Sequence, residues 1–253
     1  MNALTQDEAR RQKAGGAAAL YISLALIAAM PFFLLLVDYQ SATTAAQKVA
    51  VVVANYASLY AMYLASYVFY GLAVGVLAFA LHDRMAPGAP ALMRAATAVG
   101  LIWSVTLIAS GMVWNYGMTT VVSLAKTSPA QAQLVWHAME PMSEALGGAG
   151  GELLGGLWIL LLSVVALRTA ALPKALGWFG VIMALAGLTS VVPPLHDAAI
   201  LFGLAMIVWC AWLGIVMLRT KSMAPVAAAH PARTTSAAST SLEDVATSPV
   251  SFG

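Results

Sequence analysis

Residues 10–38 read RRQKAGGAAALYISLALIAAMPFFLLLVD, and the fold turns on whether this stretch is cleaved or kept. Arg10, Arg11 and Lys13 precede an apolar run, as in a signal peptide. That run extends from about Gly15 to Val37. The apolar region of a signal peptide is only about 7–15 residues long and ends at a small-residue cleavage site, which is not evident here. The run instead matches the roughly 20 apolar residues that carry a helix across a bilayer core. Pro31 inside it is the expected position of a kink.

Five more apolar runs follow, at about 50–81, 91–123, 146–167, 174–192 and 198–218. With the first, at about 15–38, they predict an all-α integral membrane bundle of six transmembrane helices. The second and third runs exceed what a bilayer core needs, so these helices should tilt or project. Composition points the same way. The 253 residues are 61% hydrophobic and 9% charged, against about 25% charged in a soluble domain. Lipid is therefore the natural solvent. Residues 83–90 form a turn by composition, Pro173 suits the first turn of the fifth helix, and Pro193-Pro194 ends that helix. The longest connection is 126–145. Its stretch 129–140 is expected as a short surface helix, with Ser128 as N-cap, Pro129 at the first position and Pro141 interrupting it after Glu140. Residues 222–253 are rich in Ala, Ser, Thr and Pro and predict a disordered cytoplasmic tail. The six-span domain then occupies 1–221.

Six crossings place both termini on one side. Arg10, Arg11, Lys13, Arg84, Arg94, Arg168, Lys174, Arg219, Lys221 and Arg233 go with them, while Lys48 and Lys126 fall on the other. By the positive-inside rule both termini are cytoplasmic. Net charge is +2 with the basic residues scattered, which gives no footprint for nucleic acid. The lone Cys210 lies inside an apolar run, so neither an intrachain disulfide nor a thiolate metal site is expected. No phosphate-binding loop, dinucleotide glycine motif, HExxH or nucleophile elbow occurs in a suitable context. His82 lies on the opposite side from His137 and His196, a poor arrangement for two haem ligands at matched depth. No cofactor is expected.

The stretch Arg168-Thr169-Ala170-Ala171-Leu172-Pro173-Lys174-Ala175-Leu176-Gly177-Trp178-Phe179-Gly180, with Gly155-Gly156-Leu157-Trp158 before it and Ala186-Gly187 after it, resembles a bacterial membrane-protein family catalogued as domain of unknown function 4386. The motif covers about 155–187, and the likeness in organisation about 10–221. The resemblance implies a six-span fold in a bacterial inner membrane, with a short basic loop between the fourth and fifth spans. It implies no activity.

Candidate chemistry concentrates away from the basic side. Tyr56, Tyr60, Tyr63, Tyr67 and Tyr70 recur at 4, 3, 4 and 3 residues, which aligns them on one helical face. Their hydroxyls need partners, so the ladder should face the bundle, either as the wall of a ligand cavity or as a helix–helix seam. Glu152 falls about one and a half turns into the fourth run, and an intramembrane carboxylate by default suggests function. Gly147, Gly151 and Gly155 form an overlapping GxxxG face able to approach another helix closely, a partner's included. His137, Glu140 and Glu144 align on a helix. His137 and Glu140 could chelate a metal, as could His196 with Asp197, though a solvated face explains all of them. Asp38, Asn55, Trp114, Asn115, Tyr116 and Trp136 fall on the same side.

These residues predict an outward-facing acidic and aromatic pocket. Its expected ligand-binding residues are Glu152, Tyr60, Tyr63, Tyr67, Asn115 and Asp38. His137, Glu140, His196 and Asp197 are weaker metal candidates. The function expected first is binding or moving a small ligand, ion or lipid. A membrane enzyme using carboxylate general acids and an accessory subunit docking a partner helix are the alternatives. A pocket joining Glu152 to Tyr60, Tyr63 and Tyr67 would favour the first two, and a lipid-exposed glycine face the third.

Overall fold

A computed structural model describes residues 3–37, 39–147 and 152–219. The described chain is helical, with no strand among the described residues. Four helical segments are long and apolar enough to cross a membrane: Gln6–Leu36, Tyr56–Gly88, Pro90–Ala125 and Ala198–Arg219. Leu153–Thr169 and Lys174–Thr189 are apolar but shorter. The chain is therefore read as a membrane protein, with six crossings a finer statement than these lengths establish.

Helix α1 (Ala3–Pro31) runs into a π-helical turn, Phe32–Leu36, directly after Pro31. Proline at that position removes one donor from the regular ladder, and the wider turn follows. The second apolar run is not one helix. It divides into α2 (Ala45–Ala54), α3 (Tyr56–Tyr63), a π-helical segment Leu64–Phe69, and α4 (Tyr70–Met85). Thr44 caps α2 through a capping box with Gln47. Asn55 leaves helical geometry with φ −117° and ψ 21°, while its N–H still donates to the Val51 carbonyl at 3.0 Å and its carbonyl accepts from the Leu59 N–H at 2.9 Å. Helix α5 (Pro90–Ala125) has 36 residues, about 54 Å at 1.5 Å per residue.

Helix α6 (Pro129–Gly147) corrects the expected short helix over 129–140, because it continues through Pro141. Both His137 and Pro141 are exposed. The carbonyl that Pro141 leaves without a donor, four residues back, therefore belongs to a residue on the water-accessible side. Helix α6 folds back along α5, where the Ser110 hydroxyl donates to the Ser143 carbonyl at 2.7 Å. Helix α7 (Leu153–Thr169) then starts later than the sequence suggested, and α8 (Lys174–Thr189) ends earlier. Helix α9 (Ala198–Arg219) completes the described bundle.

Two hydrophobic cores stack along the bundle. The larger joins α1, α4, the first half of α5, α7, α8 and α9, around Trp103, Trp158, Leu77, Leu81 and Trp209. The smaller joins the end of α1, α2, α3, the second half of α5 and α6, around Leu59, Tyr63, Trp114, Met118 and Trp136. Glycines set the close approaches in the larger core: a Cβ on Gly156 would sit 2.9 Å from the Leu188 nitrogen and 3.1 Å from the Ala184 carbonyl.

The far end of the larger core gathers basic residues. Arg11 pairs with Asp83 at 2.9 Å, and Arg84 donates to the Ala171 carbonyl from Nε and Nη2 at 3.2 and 3.1 Å. Gln12 reaches the Met217 carbonyl at 2.8 Å. This basic end thus gathers the start of α1, the α4–α5 turn, the α7–α8 turn and the end of α9. The smaller core forms the opposite, acidic end. Residues 222–253, expected as a disordered tail, lie outside the described residues.

Candidate functional site

Four of the five residues 147–151 are glycine, and each interior glycine costs a helix about 1 kcal/mol against alanine. Among the described residues the expected continuous fourth helix is interrupted at Glu152. Helix α6 stops at Gly147 and α7 starts at Leu153. Glu152 is the N-cap of α7, with φ −85° and ψ 53°, rather than a residue inside a helix. The GxxxG face is corrected in the same way. Gly151 lies outside the described residues, and Gly147 and Gly155 sit on different helices. Both are covered from within the chain: Gly147 faces Tyr67 and Ser110, and Gly155 faces Trp103 and Phe202.

The backbone of Glu152 is tied down while its side chain is left free. Its carbonyl accepts from the Gly156 N–H at 2.9 Å. Its own N–H donates to Ser190 Oγ at 2.9 Å, and that buried hydroxyl donates to the Gly187 carbonyl at 2.7 Å. The carboxylate does not cap the helix. Its Oε2 is buried with no hydrogen-bond partner. A Cβ on Gly155 would lie 3.1 Å from that oxygen, 2.9 Å from Trp103 Cζ2 and 3.1 Å from Phe202 Cζ. The missing side chain of Gly155 is therefore what lets the carboxylate lie between two aromatic edges.

Glu152 lines a cavity of about 190 Å³ at the junction of the two cores. Glu152, Tyr67, Tyr70, Trp103 and Phe202 line it, with Leu26, Ala29 and Phe33 from the α1 side. Ser66 and Gly147 also contribute. Tyr70 meets Trp103 edge-on at 6.1 Å. An unpaired carboxylate among aromatic rings suits a cation, through charge and through the negative ring faces.

Of the expected pocket residues, Glu152 and Tyr67 meet here. The tyrosines keep ring contacts in pairs, Tyr56 with Tyr60 at 5.9 Å and Tyr63 with Tyr67 at 5.7 Å, but only Tyr67 and Tyr70 line the cavity. Tyr63 joins the smaller core, stacked on Trp114 with centroids 4.6 Å apart and planes at 17°. Tyr60 is 38% exposed. The Tyr56 hydroxyl pairs with Thr119 Oγ1 at 2.7 Å. Asn115 is buried in the acidic end, away from the cavity lining, with neither amide atom paired. Asp38 lies outside the described residues. Trp103, Phe202 and Gly203 were not singled out from sequence. The available signal was Gly155, one turn after the only acid in its run.

The weaker metal candidates are dispersed. His137 and Asp197 are exposed, and His196 faces the Ser190 carbonyl through Nδ1 at 3.3 Å. Glu140 accepts from the Tyr39 hydroxyl at 2.8 Å and from Trp136 Nε1 at 3.0 Å. It also pairs with Lys48, so its oxygens are already engaged. No group of three or more His, Cys, Asp and Glu side chains converges among the described residues. Burial, more than the neighbouring Glu140, raises the Glu144 carboxyl above its usual range, with Lys48 opposing. Burial likewise raises the Tyr39 phenol.

Comparison with protein-family models, with curated proteins and with solved structures gives no match for this chain.

Proposed function

We propose that this chain is a multi-pass protein of a bacterial inner membrane that binds, or moves, a small cationic or amine-bearing ligand at Glu152. The observation that carries the reading is that Glu152, whose buried Oε2 has no hydrogen-bond partner, lines an aromatic cavity. A buried charge without a partner is costly, and a ligand cation would supply that partner. Among the residues lining the cavity Glu152 is the only carboxylate. That favours a binding site over catalysis by paired acids. Of the glycines offered to a partner helix, Gly147 and Gly155 are filled from within, which favours binding over an accessory role.

The membrane part of the reading takes α1, α2–α4, α5, α7, α8 and α9 as six crossings, with α6 outside the bilayer core. Helix α9, with 22 residues, rises about 33 Å, close to the roughly 30 Å hydrocarbon thickness. Helices α7 and α8, of 17 and 16 residues, approach the short limit for a span. The excess length of α5 then projects with α6 as a small head at the acidic end. The basic end faces the cytoplasm by the positive-inside rule, with both termini there. The bacterial inner membrane is what the resemblance to domain of unknown function 4386 implies.

Native mass spectrometry of the detergent-extracted full chain tests the binding reading. A retained small molecule, or added benzylamine, should be held by the wild type and released from Glu152→Gln. Equal retention by both proteins would refute the assignment to Glu152.

A further inference from the structure

Helices α1 and α9 touch closely near the basic end and part near the cavity. A Cβ on Gly214 would lie 2.8 Å from Leu20 Cγ and 2.9 Å from the Gly16 carbonyl. One turn or two further on, Ser23 donates to the Ile207 carbonyl at 2.9 Å. Gly203 continues the same stripe of α9 by helical spacing. Yet a Cβ on Gly203 would meet nothing within 4 Å. Gly203 lines the Glu152 cavity together with Leu26, Ala29 and Phe33 of α1, and it is itself partly exposed. Residues near Leu26, Ala29 and Gly203 along the two helices are apolar and exposed: Ile27 is 49% exposed, Met30 41%, Ile200 63% and Leu204 42%.

We propose that the cavity takes a membrane-borne amphiphile with a protonated amine head, the head at Glu152 and the hydrocarbon chain leaving between α1 and α9 past Gly203. The proposal rests on the reading of Glu152 as a cation-binding carboxylate and adds the ligand's second half and its route. A soluble cation passing this rim would shed its water against apolar side chains, at a high cost. An amphiphile already in the bilayer meets the rim with its chain. Size argues likewise. A cavity of about 150 Å³ holds benzene, so one of about 190 Å³ holds a head and a few carbons. The rest of a long chain has to pass the gap. The aromatic walls suit the ammonium, and the apolar rim suits the chain.

The test uses the full chain in phosphatidylcholine nanodiscs, with tryptophan fluorescence as readout, since Trp103 is on the cavity wall. The probes are dodecylamine, which needs the gap, and benzylamine, which fits inside. Gly203→Leu should weaken dodecylamine at least tenfold and benzylamine by a much smaller factor, since Gly203 also lines the cavity. Gly203→Ala should shift dodecylamine in the same direction by less. With open space at this position, neither variant should lower the thermal transition. Unchanged dodecylamine affinity in Gly203→Leu, or equal loss of both probes, overturns the side route. Glu152→Gln should weaken both probes. If it does so while Gly203→Leu has no effect, the cation site stands and the route falls. If Glu152→Gln affects neither, the cation site itself falls.

Discussion

Lys48 of α2 reaches Glu140 of α6 and closes an ion pair in which the Glu140 side chain is only 13% exposed and the Lys48 side chain 25%. Tyr39 and Trp136 donate to the same carboxylate, so one acid joins three segments of the acidic end. Charge-assisted bonds of this kind contribute about 1.5–3 kcal/mol. Glu140→Ala should therefore destabilise the head by about 2 kcal/mol. Lys48→Met should cost less, since the other two donors remain. Near-UV circular dichroism on heating, which reports Trp114 and Trp136, checks this. Equal transitions for wild type and Glu140→Ala would contradict it.

Glu144 carries a pH dependence whose sign follows from its surroundings. Its carboxyl is raised above its ordinary value of 4.5, first by burial and then by Glu140. A raised carboxyl means the folded state holds its proton more tightly than the unfolded state. Its contribution to stability is full below about pH 4.5 and is lost as pH rises through the folded-state value. Glu144→Gln should be more stable than wild type at pH 7, with the difference vanishing near pH 4. Thermal unfolding across that range tests the sign. A difference that grows toward acid pH would refute it.

Two glycines make opposite predictions. Gly156 lies against α8 backbone, where a Cβ would sit 2.9 Å from the Leu188 nitrogen. Backbone cannot move aside cheaply, so Gly156→Ala should cost about 1–3 kcal/mol. Gly203 faces open space, and alanine gains about 1 kcal/mol of helix propensity there. Gly203→Ala should therefore be neutral to stabilising. Denaturation of the two variants side by side settles it, and a reversed order would show that the α7–α8 and α1–α9 packing is misdescribed.

Ala170 ends α7 in the left-handed region, with φ 53°. Glycine is the usual residue there because it has no Cβ to clash. Ala170→Gly should stabilise by about 1 kcal/mol. A lower midpoint on denaturation would contradict this.

The parts legible in the sequence were those where one physical signal dominates. The long apolar runs of α1, α5 and α9 found their helices because burial and lipid contact both demand them. The basic residues Arg11, Arg84, Arg94 and Arg168 found the end at which their turns gather. Breaks were harder to read. Gly147 to Gly155 carry two meanings at once, close packing and helix termination, and composition alone does not choose between them. The π-helical segment Leu64–Phe69 leaves no strong residue signature, yet it divides the second run after Tyr63. Pro141 looked like a stop but stays helical because that side of the turn is exposed. Glu152 and Tyr67 were found together, since an acid in an apolar run and a hydroxyl on a buried face are both costly unless they meet something. Trp103 and Phe202 were not, because aromatic residues in apolar helices are common and only their approach to Gly155 marks them.

The most direct test is a benzylamine titration of wild type, Glu152→Asp and Glu152→Gln in the same nanodiscs, followed by tryptophan fluorescence. The account predicts saturable binding to the wild type, weaker binding to Glu152→Asp, and at least a tenfold loss in Glu152→Gln with the fold retained. Equal affinity in all three proteins would contradict it.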